Sequence, residues 1–575
     1  MKIRDVLIVS ALLLAIGSFL FAPGVIRPAD YSWVVELFDY AVLLIVVLEI
    51  ALQYRAATYK RVYIKRNAIS LVFAALFVIL FLATRFGLAK SDLRGVSNVL
   101  IILRNTFIAL RVYRRLRRLT ALLEELSTHP ARTILLSFFV VILTGALLLM
   151  LPFTGSDGSG LGFVDAIFTA TSAVCVTGLI VVDTATAFSI YGKIIILVLV
   201  QIGGLGIMLL SYFTIFVFRR SMSIEDKMLI SYVLSDRDMT RLARNLSRIV
   251  YTALIIEVCG AAVLFAGFRK FGDGSVGESV LQGVFHSISA FCNAGFSLYT
   301  DSLMSFRDRS LVILPVAIII VLGGLSFAVI SDVRTWLANV FTRVIRHRRR
   351  RIERLTLNTR VVLTISLFLT LTGFFLFYAL EFSHSMADIP TGFQYLSSLF
   401  QSVTLRTAGF NTVDVSRFLP TTYLVMAVFM FVGGASGSTA GGIKINTVAV
   451  MISYLVSTAR DRDSVILYRH SIPMATVTRA FLILLFGIAA ISFGTILLSV
   501  FESAPIEKIY FEVVSAFGTV GLSAGITQGL SVPGKFVIVV LMFLGRLGPL
   551  TILAAATRGD RTVRIEYPRG QIAIG

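Results

Sequence analysis

Residues 431–444 read FVGGASGSTAGGIK and interrupt an apolar segment that runs from about Tyr423 to Tyr454. Every residue from Gly433 to Gly442, which we call the Gly-rich loop, is Gly, Ala, Ser or Thr, so the backbone is free to turn and its amides are unshielded. Such a stretch is tolerated at membrane depth only beside protein or a water-filled path. A broken helix that faces a cavity is a recurrent device for handling ions in membranes. The alternative is a long cytosolic loop between two helices.

The composition predicts a membrane protein with many spans. Of the 575 residues, 57% are apolar and 15% are charged, and the mean hydropathy is +0.88, which no ordinary soluble domain reaches. The net charge of +21 would suit a nucleic-acid partner, but the Lys and Arg residues form short blocks between apolar runs. Such blocks are typical of topology signals, so no nucleic-acid partner is expected. Three Cys without paired spacing indicate neither a disulfide framework nor a metal cofactor.

Residues 1–127 predict an N-terminal extension of about four membrane helices. Their apolar runs lie near Val6–Phe21, Val34–Leu52, Ala68–Leu82 and Val96–Leu119. We expect the first run to be a retained helix rather than a cleaved signal, because further spans follow at once. Arginines crowd into the end of the fourth run and are compatible with a voltage sensor. Snorkelling of these arginines to the inner membrane surface explains them more simply.

From about residue 128, a pattern of long helix, short apolar segment and long helix occurs four times. The short segments have roughly 10 to 14 residues, too few to span a bilayer and typical of re-entrant half-helices. We therefore predict an all-α polytopic membrane protein with four helix–pore-helix–helix units around one pseudo-four-fold pore. The predicted units are 128–246, 247–357, 358–475 with the loop at 433–442, and 476–575 with the C-terminal tail. The long apolar runs lie near Thr133–Leu151, Ile194–Phe218, Ile249–Phe268, Leu311–Ile330, Val361–Leu380, Tyr423–Tyr454, Ala480–Val500 and Phe536–Ala556.

One motif recurs in the short segments. The pattern Phe-x3-Ser-Ala-x4-Gly ends at Gly178, Gly295 and Gly521, and the third copy, from Phe400 to Gly409, is one residue shorter. Because each copy lies in its own unit, the period of the repeat is set by a whole helix, half-helix and helix.

The four motif glycines predict an ion filter. A half-helix that stops inside the membrane returns as extended chain, whose carbonyls have no helical partner. Four such chains around one axis offer carbonyl oxygens that replace the hydration shell of K⁺, and glycine permits close approach. A glycine that only caps a helix is the alternative, but four in register favour a filter. The predicted filter residues, binding K⁺ through backbone carbonyls, are Val176, Thr177, Gly178, Asn293, Ala294, Gly295, Thr407, Ala408, Gly409, Thr519, Val520 and Gly521.

The distribution of Lys and Arg predicts the orientation. Segments that join one unit to the next are rich in basic residues, whereas the lead-ins Pro152–Val164 and Glu381–Gln394 contain none. By the positive-inside rule the joints are cytoplasmic, and the half-helices enter from the outer face. Counting back through the first region predicts a cytoplasmic N-terminus. The block Arg348–Arg351 also suits anionic membrane lipid or a partner.

These motifs resemble the Trk/Ktr/HKT superfamily of potassium transporters, and most of all its Ktr membrane subunit. The resemblance rests on residues 290–296 (AFCNAGF), 400–412 (FQSVTLRTAGFNT), 511–522 (FEVVSAFGTVGL) and 545–551 (GRLGPLT). It implies potassium uptake in the plasma (inner) membrane by a homodimer seated on a cytosolic ring of nucleotide-binding regulatory subunits. K⁺ is then the transported ion, with Na⁺ as a conceivable activator or coupled ion. The helices before Ser127 depart from the usual Ktr pattern.

The resemblance also implies that the Gly-rich loop is an intramembrane gate under the filter. Arg546 lies in the run Phe536–Ala556, which is otherwise free of charge, so we expect it to face the pore, where loop carbonyls can accept its hydrogen bonds. Pairing of Arg546 with a buried carboxylate is the alternative. The predicted gate residues are Gly433, Gly434, Ser436, Gly437, Ser438, Thr439, Gly441, Gly442, Lys444 and Arg546.

Potassium uptake without any catalytic residue is the function we predict. Only five His are present, and no carboxylate pair or nucleophile beside a base recurs in the apolar regions, so an enzyme has little support. A sodium-selective or sodium–potassium cotransporting relative is the first alternative, although such relatives often carry Ser where Gly178 stands. A voltage-responsive channel that uses the N-terminal helices is the second.

Overall fold

The computed structural model describes residues 60, 130–218, 242–272, 274–346 and 354–548. The four helices predicted before residue 128, the block Arg348–Arg351 and the tail after residue 548 lie outside the described residues. The chain divides into two compact parts, which differ from the four repeat units. One is Met1–Thr128 with Leu151–Leu161, and the other is His129–Met150 with Gly162–Gly575. Within Leu151–Leu161 of the first compact part, Pro152–Thr154 forms a 3₁₀ turn.

The described residues of the second compact part are mostly helical. Short 3₁₀ turns lie at Met304–Phe306, Val415–Arg417 and Thr527–Gly529. The helices are α1 (Pro130–Leu149), α2 (Phe163–Val174), α3 (Ile190–Phe218), α4 (Leu242–Phe271), α5 (Val276–Cys292), α6 (Ser310–Gly324), α7 (Phe327–Arg346), α8 (Leu357–Glu381), α9 (Thr391–Thr404), α10 (Pro420–Phe431), α11 (Ile445–Ala459), α12 (Met474–Phe501), α13 (Ile506–Gly518) and α14 (Val532–Leu547). Strands β1 (Val465–Leu467) and β2 (His470–Ile472) pair antiparallel as one hairpin. The predicted helical class is thus confirmed, and this hairpin is the departure from an all-α chain.

Four short helices, α2, α5, α9 and α13, carry the repeated motif and are separated by other helices. They contain 12, 17, 14 and 13 residues, and at about 1.5 Å per residue they are shorter than the hydrocarbon core, about 30 Å thick. A capping box fixes the start of α5, because Ser275 and Glu278 each accept a hydrogen bond from the other's backbone N–H. Pro390 and Pro505 precede α9 and α13, where a missing N–H leaves no donor unpaired.

Long apolar helices identify a membrane protein. Among the described residues, three stretches have the length and composition to cross a bilayer, namely Ile249–Phe271, Leu357–Glu381 and Met474–Phe501. The pair α6 and α7, which meet at an angle of 107°, adds a fourth if it is counted as one span. Large apolar side chains on these helices stay exposed, among them Phe375 at 64% and Phe493 at 67%. Lipid is the solvent that such outward apolar faces suit.

The helix that follows each short helix is interrupted or ends at glycine. Gly206 has non-helical angles (φ +49°, ψ −134°) inside α3, α6 stops at Gly324, and Gly548 follows α14 with φ +77°. Only the Gly-rich loop, between α10 and α11, was predicted as a break. The expectation of one continuous helix over Leu311–Ile330 is wrong, because the chain bends between α6 and α7.

Candidate functional site

The four motif glycines meet around one point. A Cβ added at Gly178 would overlap the carbonyl oxygen of Ala294 and lie 3.1 Å from Gly295 Cα. A Cβ at Gly295 would lie 2.9 Å from Gly409 Cα, one at Gly409 would lie 3.3 Å from Gly521 Cα, and one at Gly521 would lie 3.1 Å from Gly178 Cα. The four segments that carry these glycines therefore form a closed ring in chain order. We call them the ring strands, although they form no β-sheet.

Carbonyl oxygens occupy the gaps between the glycines. Each glycine faces the oxygen of the residue before the next glycine, and these residues are Thr177, Ala294, Ala408 and Val520. Among the described residues, none of the four oxygens accepts a backbone hydrogen bond. Within that part of the chain, four carbonyl oxygens thus gather at one place without a backbone donor, which is the chemistry that coordinates a cation.

Backbone angles repeat around the ring. The four glycines have φ of +92°, +70°, +79° and +92°, and the residues two positions earlier, Val176, Asn293, Thr407 and Thr519, have φ between +50° and +68°. The intervening residues are not in the left-handed region. Because side chains other than glycine rarely adopt positive φ, four copies of this alternation indicate a conformation imposed by the surroundings.

Hydrogen bonds from the short helices hold these strands. The N–H before each glycine donates to the carbonyl of the motif Ser or Thr. The pairs are Thr177–Ser172 at 2.8 Å, Ala294–Ser289 at 2.7 Å, Ala408–Thr404 at 3.0 Å and Val520–Ser515 at 2.8 Å. In the third copy the bond reaches four residues back instead of five, and this accommodates the residue that the motif lacks there.

Hydroxyl groups of the same residues add a second anchor. The N–H groups of Gly178 and Gly521 donate to the hydroxyls of Ser172 (3.0 Å) and Ser515 (3.1 Å). In the other two copies the hydroxyl donates to the carbonyl of the Phe after the glycine, at 2.8 Å from Ser289 and 2.6 Å from Thr404. The motif Ser or Thr therefore shapes the ring in all four copies.

Helix dipoles favour a cation at this point. The short helices α2, α5, α9 and α13 all end within a few residues of the ring glycines. The carboxyl end of a helix carries a partial negative charge from its unpaired carbonyls. Four such ends converge with the four free carbonyls, so the ring is electrostatically suited to a positive ion.

The Gly-rich loop lies against the side of the ring where its strands begin. Thr439 Oγ1 lies 3.0 Å from the carbonyl oxygen of Phe291, at the end of α5, and 2.9 Å from that of Gly323. A Cβ at Gly441 would overlap the hydroxyl of Thr519, the first ring residue after α13. The loop thus reaches from the end of α5 to the end of α13. We call this side of the ring its base.

Backbone pairing closes the two ends of the loop. Gly433 N donates to Ile443 O at 2.9 Å, Ile445 N donates to Gly434 O at 3.1 Å, and Val432 forms an isolated parallel bridge with Ile443. Most loop residues are buried, and Ser436, Gly437, Ser438 and Gly442 are half-buried. The small residues thus permit a compact loop with a fixed base.

Lys444 and Arg546 hold the loop with charged groups. Lys444 Nζ donates to Ala440 O and, at 3.3 Å, to Gly441 O. Arg546 Nη1 donates to Thr439 O, while Nη2 donates to the α3 carbonyls of Gly203 and, at 3.4 Å, Gly204. Among the described residues no carboxylate forms an ion pair with Arg546. Its charge is met by carbonyl dipoles, and the structure does not support the alternative of a buried pair within that part of the chain.

Three buried polar residues near the ring were not singled out from the sequence. Glu512 and His286 contact the strands that leave the ring. Arg406, only 8% exposed, directs Nη2 to Ser366 of α8 at 3.0 Å, away from the ring. Glu512 and His286 both lie three residues before the motif Ser, and the sequence shows that shared position. The sequence does not show which residues they contact.

A family model described as a cation transport protein, TrkH, matches residues 102–563. The chain belongs to the TrkH family of cation transport proteins. The resemblance to the Trk/Ktr/HKT superfamily predicted from the motifs is confirmed. A family of transporters also agrees with the expectation that the chain is not an enzyme.

Several relatives of this TrkH family protein are similar over most of their length. The Ktr system potassium uptake protein B of Vibrio alginolyticus is 40% identical over 446 residues, 77% of this chain and 94% of the relative. The protein of the same name from Bacillus subtilis is 33% identical over 78% of this chain and 97% of its own. The potassium/sodium uptake protein NtpJ of Enterococcus hirae is 33% identical over 78% and 97%.

A solved structure shares the fold of this TrkH family protein. The potassium transporter TrkH of Vibrio parahaemolyticus superposes with a TM-score of 0.60 at 18% identity, over 85% of this chain and 97% of the other. At that identity the likeness concerns the fold alone. It confirms a mostly helical membrane protein.

Proposed function

We propose that this protein takes up potassium across the plasma (inner) membrane through the ring of Thr177, Ala294, Ala408 and Val520 carbonyls. The observation that carries the proposal is the closed ring of four glycines with unpaired carbonyls between them. Carbonyl oxygens replace the water around a weakly hydrated cation, and the convergent helix ends add negative potential. The names of the Vibrio and Bacillus relatives support potassium as the ion.

The Gly-rich loop is the proposed gate of this path. It lies against the base of the ring and is bonded to the end of α5, to α3 through Arg546, and to α6 through Thr439. A cation leaving the ring toward the loop meets the positive charge of Arg546, which raises the electrostatic barrier. Removal of the loop, or of the Arg546 charge, is therefore expected to increase flux.

A sodium-dependent or sodium-conducting transporter is the second candidate. The Enterococcus hirae relative is named a potassium/sodium uptake protein and matches this chain as well as the Bacillus relative does. Gly178 favours potassium, because a Ser at that ring position would place a Cβ against Ala294. Sodium as an activator or a coupled ion is compatible with both candidates.

The assembly we propose follows the family resemblance. A homodimer in the membrane contacts a cytosolic ring of nucleotide-binding regulatory subunits, and the N-terminus and the basic joints between units face the cytoplasm. Exposed apolar side chains on α8 and α12 face lipid. Co-purification of the chain with nucleotide-binding subunits from the same genome would test the partner.

Ion uptake tests the proposal directly. The full chain is expressed in cells that lack their own potassium uptake systems, and the uptake of K⁺ and of Na⁺ is measured and normalised to the amount of protein in the membrane. K⁺ uptake that exceeds Na⁺ uptake is expected. Uptake of Na⁺ alone would favour the second candidate, and correctly inserted protein without uptake of either ion would refute transport through the ring.

A further inference from the structure

The residue one helical turn before each motif Ser or Thr is polar and buried. These residues, each three positions before the motif Ser or Thr, are Thr169, His286, Gln401 and Glu512, and their exposed fractions are 3%, 0%, 0% and 0%. Since residues three apart lie on one helix face, each side chain lies behind the ring strand of its own unit. The four repeat units thus all have a buried polar residue at this helix position, but the residue type differs in each unit.

Glu512 binds the strand that leaves the ring in the fourth unit. Its Oε1 accepts hydrogen bonds from Ser523 Oγ and, at 3.1 Å, from Ala524 N. Its Oε2 accepts one from Thr527 Oγ1 at 3.0 Å. Both carboxylate oxygens therefore tie residues 523–527 to α13, and Ser523 is only two positions beyond Gly521.

His286 makes the corresponding contact in the second unit. Its Nε2 lies 3.0 Å from the hydroxyl of Ser297, two positions beyond Gly295 and so at the same offset as Ser523 from Gly521. Its Nδ1 lies 2.8 Å from Gln282 O within α5. The imidazole thus connects the short helix to the outgoing strand, as Glu512 does.

The first and third units lack this contact. Among the described residues, the hydroxyl of Thr169 and both amide atoms of Gln401 have no hydrogen-bond partner. The ring runs in chain order, with Gly178 beside Gly295 and Gly409 beside Gly521, so the second and fourth units are opposite each other. Two opposite strands are therefore braced by the side chain at this helix position, and among the described residues the two between them are not.

We propose that Glu512 is a positioning residue that holds the fourth strand of the ring, opposite the strand that His286 contacts, and so determines the preference of the ring for potassium over sodium. The inference rests on the proposed function. A carbonyl ring that is free to contract also coordinates a smaller cation, so its discrimination depends on how firmly the strands are held. The fourth strand is held on both sides of Gly521, by Ser515 before it and by Glu512 after it.

The test compares sodium and potassium uptake by Glu512→Gln with uptake by the unchanged full chain. The amide keeps the volume of the side chain but replaces one acceptor oxygen by a donor facing Thr527. The ratio of Na⁺ to K⁺ uptake, normalised to membrane abundance, is expected to rise severalfold. A residue that only stabilised the fold would lower abundance and leave this ratio unchanged.

Partner-side variants keep the test independent of the folding of one mutant. Ser523→Ala combined with Thr527→Val removes both hydroxyl donors and should raise the ratio to the same extent. Combining them with Glu512→Gln should add little, because the three groups share one set of bonds. Thr169→Val is the matched control at the same register, and it should leave the ratio unchanged.

The outcomes separate this inference from the proposed function. If Gly178→Ser raises the ratio in the same assay while Glu512→Gln and the Ser523–Thr527 variant keep the original ratio, the positioning role is refuted and the ring assignment stands. Full additivity of the combined variants would also refute a shared brace. If the unchanged chain takes up no K⁺, the proposed function itself fails.

Discussion

Replacement of Arg546 by Gln should increase potassium flux through correctly inserted protein. The guanidinium donates to Thr439 O in the Gly-rich loop and to the carbonyls of Gly203 and Gly204 in α3. It therefore clamps the loop to α3 and places a positive charge at the base of the ring. Gln is shorter and neutral, so it loses both the clamp and the charge.

The expected size follows from the single bond that Arg546 makes to the loop. A hydrogen bond from a charged group contributes about 1.5–3 kcal/mol, and about 1.4 kcal/mol changes an equilibrium tenfold. Loss of the bond to Thr439 thus shifts the loop away from the ring by roughly ten- to a hundredfold. Loss of the charge acts in the same direction, because two like unit charges about 4 Å apart repel each other by about 4 kcal/mol at an effective dielectric constant of about 20.

Potassium uptake normalised to membrane abundance measures the effect. Arg546→Lys, which keeps the charge but not the forked hydrogen bonds, should give a smaller increase. Arg417→Gln is the matched control, because Arg417 is exposed in the 3₁₀ turn before α10 and lies outside the loop. Uptake by Arg546→Gln at or below the original level, at normal abundance, would refute both the clamp and the barrier.

Three further predictions concern the ring and its support. Gly178→Ser should raise Na⁺ uptake relative to K⁺, because φ is +92° there and a Cβ would overlap Ala294 O; an unchanged ratio of the two ions would contradict the filter assignment. Deletion of residues 435–440 should raise basal K⁺ uptake and weaken any dependence on a cytosolic regulator, whereas unaltered uptake by inserted protein would make the loop a mere connector. Gly203→Ala should sharply lower the amount of protein in the membrane, because a Cβ there would overlap the carbonyl at the end of α2. Gly392→Ala, which meets nothing within 4 Å, should keep normal abundance on the same immunoblot, and equal loss in both variants would contradict the packing argument.

The register of the ring was predictable because it is written in local sequence. The spacing from Ser172 to Gly178 recurs around Ser289 and Ser515, and the same backbone bond to the motif Ser carbonyl forms at each copy. The shorter third copy is accommodated locally as well, because Ala408 N donates to Thr404 O four residues back. The roles of these residues in selecting ions stay predictions.

The breaks in the other helices were not predictable from apolar composition. The run Leu311–Ile330 is continuous in hydropathy, yet the chain bends at Leu325 and Ser326, where Gly323 and Gly324 pack against α5 and the loop. Hydropathy measures burial in lipid and carries no information on which glycine must approach another backbone. The break in the Gly-rich loop was visible only because ten small residues stand in a row.

Contacts between distant residues were the second kind of missed information. Glu512 looked like one acid in a pore-helix motif, and nothing in the sequence pairs it with Thr527. The hairpin of β1 and β2 lies in a joint that we interpreted only by its charge, because three-residue strands leave no periodic pattern.

The paired base of the Gly-rich loop makes it a flap with its own hinge. We expect the bond between Gly433 and Ile443 to persist across this neck, so that the flap of the proposed gate swings clear of the ring while the distance between α10 and α11 is unchanged. Opening of the proposed gate would then break the bonds that Ala435, Thr439 and Arg546 make around the loop, and we expect no rearrangement of helices in the lipid. In the proposed assembly, a cytosolic regulator would have only to pull on that neck, and opening of a lid typically takes microseconds to seconds.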